Sequence, residues 1–190
     1  MNLSTIDFEK LRSQFKDSTQ KQTTLETLKA AVVSRLQRML RINRQRTDMV
    51  EKYEEILTAY NNGSRAIDDL FDALLDFCRE LDDEATRHVR ERLSEDELAI
   101  FDVLTRPDPE LTSDERDTVK KVVHLLHQRL TTLLAPGWRE RVTARAEVKD
   151  QVEAVLDAEL PRAYTPEIFQ AKAAAVYDHL LRQDGHSAAG

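Results

Sequence analysis

Two histidines, His124 and His127, are the side chains best suited to bind a metal ion, because they lie three residues apart in a predicted helix. Positions three apart share one helical face, so both imidazoles could reach the same ion. A protein site for zinc usually needs a third and a fourth ligand, and no carboxylate lies within one helical turn of this pair. We therefore interpret the histidines as polar positions beside Leu125 and Leu126, and we expect no metal site.

Other patterns that could support chemistry are weaker. The segment 147–149, Glu-Val-Lys, matches the end of a pattern found in DNA-cutting enzymes, but it is predicted to be helical, whereas such sites hold their carboxylates at sheet edges. Cys78 follows Phe77 on an apolar helical face, which predicts a buried and inert thiol. Loops that bind phosphate need closely spaced glycines, and none are so spaced among Gly63, Gly137, Gly185 and Gly190. We predict no catalytic, cofactor-binding or metal-binding residue, and neither ATPase nor nuclease activity, for this chain.

Charge segregation is the most informative feature. An arginine stripe lies within twelve residues that contain no acid, and consists of Arg35, Arg38, Arg41, Arg44 and Arg46. Acids dominate the segment 68–84, where Arg79 is the one base. Helix dipoles and solvation account for part of this pattern. The alternative is that the stripe contacts DNA phosphates or an acidic partner, while the acidic helix faces solvent or a basic partner. A second, weaker basic face is predicted at Arg139, Arg141, Arg145 and Lys149.

Composition restricts the fold and the class of protein. The 190 residues include 4 Gly and 5 Pro, too few turn formers for many hairpins or crossovers. One cysteine excludes an intrachain disulfide and fits a reducing compartment. No apolar run is long enough to span a membrane, and no secretion signal is visible. The net charge of −7 argues against a generally basic nucleic-acid binder, although it leaves room for a local basic patch.

Apolar residues recur three and four positions apart along most of the chain, which predicts an all-α, irregular bundle of about eight or nine helices. Capping-box patterns mark two helix starts at Ser94 and Thr112. The pair Thr165-Pro166 marks a third start. We expect helix breaks near 16–22, 43–47, 61–65, 105–112, 135–138 and 160–166. Trp138 follows a helix-ending Pro-Gly pair, begins the next predicted helix, and is expected to be buried.

Several short segments, taken in order, resemble the helical C-terminal region of the R subunit, the motor-nuclease subunit, of type I restriction enzymes. They extend over most of 6–181 and comprise 36–48 (LQRMLRINRQRTD), Tyr53 with 60–63 (YNNG), 93–105 (LSEDELAIFDVLT), 114–116 (DER), 137–139 (GWR) and 160–166 (LPRAYTP). No single segment is diagnostic. Their specificity comes from unrelated motifs that follow one another in the same order.

The resemblance implies a domain organisation. It suggests that 1–62 correspond to the region after the motor domains and 63–182 to a C-terminal helical domain, with 183–190 a disordered tail. R subunits carry a nuclease domain and two helicase-type motor domains before these parts, so ATP and Mg²⁺ are expected to bind elsewhere in the parent subunit. The chain is accordingly expected to be an excised piece of that subunit or a truncated gene product. No catalytic residue of the family maps onto it.

The resemblance also implies partners. The C-terminal region of such enzymes is thought to dock the R subunit onto the methyltransferase core of M and S subunits, in the cytoplasm of a bacterium or archaeon. The other expected partner is the pair of motor domains of its own subunit. Two alternatives remain at this stage: the arginine stripe contacts DNA beside the motor, or the chain is a structural brace.

Overall fold

The computed structural model describes residues 8–61 and 66–183, and within them the chain forms nine α-helices and no strand. This confirms the all-α prediction. The first five helices are α1 (Phe8–Lys16), α2 (Lys21–Ile42), α3 (Thr47–Asn61), α4 (Ile67–Ala85) and the short α5 (Arg87–Glu91). The remaining four are α6 (Glu95–Thr105), α7 (Ser113–Leu130), α8 (Val142–Glu159) and α9 (Pro166–Arg182). In the described parts of the chain, no helix is both long enough and apolar enough to cross a membrane.

Most predicted breaks coincide with the observed ones. Interhelical segments occur at 17–20, 43–46, 106–112 and 160–165. The break predicted at 61–65 and the expected tail lie outside the described residues, apart from Asn61 and Gln183. The predicted starts at Ser94 and Thr112 are capping boxes, in which each hydroxyl accepts a hydrogen bond from the backbone N–H three residues on. Thr165 caps α9 in the same way, with Pro166 at the first helical position.

The break expected at 135–138 is wider than predicted. Helix α7 ends at Leu130, and α8 begins at Val142 rather than at Trp138. The intervening residues form successive turns, with the backbone N–H of Trp138 bonded to the carbonyl of Ala135. Gly137 has φ of +76°, a conformation that a side chain would strain. These turns place the indole in the core, where Trp138 is 2% exposed, as the sequence predicted.

The described chain divides into two compact units, and the first of them ends at Arg90. Its core is built mainly from the apolar face of α4, which packs against α2 and α3. The Phe15 ring of α1 stacks on Phe71 of α4, with centroids 3.6 Å apart. Burial of each large apolar side chain stabilises the fold by roughly 1.5–3 kcal/mol, so α4 is the element around which this unit is assembled.

The compact units of the structure divide the chain at a different place from the domains that the resemblance implies. The resemblance implies a boundary between positions 62 and 63, whereas the compact units divide between Arg90 and Glu91. Since the buried face of α4 contacts α2 and α3, α4 belongs to the first unit.

In the second unit, which begins at Glu91, α6, α7, α8 and α9 pack in sequence and α9 returns to α6, which closes a four-helix arrangement. Helix α6 is buried from Glu97 to Thr105. Because its last carbonyls lack partners within the helix, side chains from other elements bind them. The Lys172 ammonium donates to the carbonyls of Val103 and Arg106, at 2.9 and 2.7 Å. The Tyr164 hydroxyl donates to the carbonyl of Leu104 at 3.1 Å.

Candidate functional site

The arginine stripe divides into internal and exposed side chains. Arg35 and Arg46 are buried, with 8% and 2% exposure. Arg35 Nη1 lies 2.5 Å from the Asp82 carboxylate, and Arg46 Nε lies 2.9 Å from that of Glu84. Both arginines therefore connect the C-terminal part of α2 and the turn after it to the end of α4. Their charges face carboxylates inside the unit, so these two side chains are less available to DNA or to a partner than the sequence suggested.

The acidic side chains of α4 form ion pairs within the first unit. Its carboxylates bind cations from the surrounding elements of the first unit: Asp68 binds Lys21, Asp72 binds Arg12, Glu80 binds Lys52, Asp82 binds Arg35, and Glu84 binds Arg46 and Arg87. The sequence predicted that this helix faces solvent or a basic partner. The side chains of Asp68, Asp72 and Glu80 are 42–50% exposed, so they face solvent as predicted, and the cations that they bind come from the same folded unit.

The other three arginines of the stripe lie on the surface. Arg38 and Arg41 are exposed on α2, and Arg44 is exposed in the turn that follows it. Within the described residues, none of the three has an acid within ion-pair distance. The nearest acids in the sequence are Glu26 and Asp48, so the chain segment itself supplies none. These arginines are the part of the predicted site that is available to a partner.

Arg139, one of the four residues of the predicted second basic face, binds other residues of the second unit. The Arg139 guanidinium donates to the carbonyls of Leu180, Leu181 and Gln183 at 2.8–3.3 Å, and so caps the end of α9. It also lies over the Trp138 ring, 5.0 Å from its centroid. Arg141 remains exposed but bonds back to its own turn, at the carbonyl of Gly137. Arg139 and Lys172 act as caps on helices far away in the sequence, and no local pattern could have identified them.

The histidine pair does have a carboxylate beside it, supplied by another helix. His124 Nδ1 donates to Glu97 Oε1 at 2.7 Å, and His127 Nδ1 lies 4.0 Å from the same oxygen. Glu97 also completes the capping box of α6 by accepting from the backbone N–H of Ser94 at 2.8 Å. No cluster of three or more side chains arranged to hold a metal ion occurs in 8–61 and 66–183. Glu97 was missed because 27 residues separate it from His124.

Cys78 and the segment 147–149 are the other candidates for chemistry, and neither lies in an environment that supports it. Cys78 is fully buried in the core of the first unit, and burial raises the pKa of its thiol to about 12. A thiol with so high a pKa carries almost no thiolate near neutral pH, so it is a poor nucleophile. Glu147 and Lys149 are exposed on α8, where Lys149 pairs with Glu153, one turn further on, at 3.7 Å. The segment 147–149 is thus helical, as the sequence predicted.

The sequence that gives this arrangement of helices and paired charges matches a known family. The sequence pattern of the family described as "Type I restriction enzyme HindI endonuclease subunit-like, C-terminal" matches residues 1–185. The chain belongs to this family. Comparisons with curated proteins and with solved structures found no match. The match extends over both compact units, which confirms the resemblance to the C-terminal region of a type I restriction endonuclease subunit.

The contact of Glu97 with His124 gives this HindI-like C-terminal region a testable pH dependence. Burial favours a raised pKa for Glu97, but hydrogen bonds from Ser94 and His124 outweigh it and leave the pKa lowered. A carboxylate whose pKa is lower in the folded state stabilises the fold above its unfolded value, about 4.3, and loses that contribution as the pH falls through the folded value.

We therefore expect Glu97→Gln to lower the melting temperature at pH 7. The difference from the wild-type chain should shrink as the pH falls below about 4.3. Thermal melts followed by circular dichroism over this range check the prediction. Glu147→Gln, at an exposed position of α8, is the matched control. A difference that stayed constant from pH 7 to pH 3 would show that the charge of Glu97 contributes nothing.

Proposed function

We propose that this chain is a non-catalytic docking module that holds the motor-nuclease subunit of a type I restriction enzyme on the methyltransferase core of M and S subunits. Membership in the HindI-like C-terminal family supports the choice of parent enzyme. On this proposal, the ATP and Mg²⁺ needed for restriction bind to the motor and nuclease domains of the parent subunit, which acts in the cytoplasm of a bacterium or archaeon.

The proposal is carried by the structural roles of the polar side chains. Those best suited to chemistry hold the fold together: His124 bonds to Glu97, Cys78 lies in a core, and Lys172 caps a helix. The arginines left exposed, Arg38, Arg41 and Arg44, suit binding better than catalysis, because an arginine side chain remains charged and cannot exchange a proton near neutral pH.

A direct binding measurement tests this function. The purified chain is mixed with the purified methyltransferase core and analysed by size-exclusion chromatography, and then titrated with the intact R subunit of the same enzyme. We expect the chain to elute with the core and to be displaced by the intact subunit, because both would occupy one site. Failure to bind the core under conditions in which the circular dichroism spectrum shows a folded chain would contradict docking.

DNA contact is the second candidate, and the same three arginines favour it. Guanidinium groups bind phosphate as well as carboxylate, so an exposed row of them could follow a duplex beside the motor. Binding of this kind weakens steeply with salt, in proportion to the number of phosphates contacted. The net charge of −7 reduces long-range attraction to DNA. Tight binding to a duplex oligonucleotide at physiological salt, with no binding to the core, would favour this alternative over docking.

A further inference from the structure

We draw no further inference here: the strongest candidate, the surface patch formed by the exposed side chains of Arg38 and Arg41 on α2 and of Arg44 in the turn after it, already belongs to the proposed function, and nothing in the structure shows what covers it.

Discussion

Replacing Trp138 by alanine is expected to destabilise the second unit by roughly 3–5 kcal/mol, the usual range for removing a buried large aromatic side chain. The indole is 2% exposed in a core that α6, α7, α8 and α9 share. Its removal also takes away the ring over which Arg139 lies, and Arg139 caps the end of α9. The loss is a large part of the 5–15 kcal/mol that stabilises a typical domain.

Urea unfolding followed by far-ultraviolet circular dichroism measures this effect, since the variant lacks the single tryptophan. Trp138→Phe is the matched control, because it keeps an aromatic ring and should lose less stability. The emission maximum of the wild-type chain gives an independent check, and we expect it to be blue-shifted as for a buried indole. A loss below about 1 kcal/mol in Trp138→Ala would mean that the indole does not hold the core together.

The second large effect is expected at Glu84, where one carboxylate serves two arginines. The Nε atoms of Arg46 and Arg87 lie 2.9 and 3.0 Å from its oxygens, and the side chains of Arg46 and Glu84 are 2% and 11% exposed. Removing one member of a buried ion pair leaves a charge that water cannot solvate, which costs about 3–5 kcal/mol. Glu84→Ala should therefore destabilise the first unit by about 3 kcal/mol.

Glu55→Ala is the control for this change, because Glu55 is an exposed acid of α3 for which no acid–base pair is found in the described structure. A surface substitution of this kind usually changes stability by less than about 0.5 kcal/mol. Thermal and urea unfolding of both variants measure the difference. Equal stability of Glu84→Ala and Glu55→Ala would show that the cluster at the end of α4 is solvated rather than buried.

Local features of the sequence predicted the helices well. Capping boxes placed the starts of α6 and α7, and the Thr165-Pro166 pair placed that of α9, because these signals act within one helical turn. The region after Leu130 was harder to predict, since Gly137 and the buried ring of Trp138 favour turns over an early start of α8. Tertiary packing overrode the helical pattern there.

The candidate site was harder to predict from the sequence than the helices were. Spacing alone grouped five arginines, but Arg46 follows the end of α2, so its direction does not obey the helical period. Which arginines turn inward depends on α4, whose position is set by its apolar face rather than by any pattern near Arg35. Opposite charges that lie far apart in the sequence, such as those of Arg46 and Glu84, were predicted to lie on separate surfaces, whereas in the structure these two form an ion pair.

The most direct test of the docking account is inhibition of the complete enzyme by this chain. The chain is added in molar excess to the assembled R, M and S subunits, and ATP-dependent DNA cleavage and DNA methylation are measured in parallel. We predict that cleavage falls as the chain displaces the R subunit while methylation is unchanged, and that Arg38→Glu/Arg41→Glu inhibits much less. Cleavage that continues undiminished in the presence of excess folded chain would contradict docking as the role of this domain.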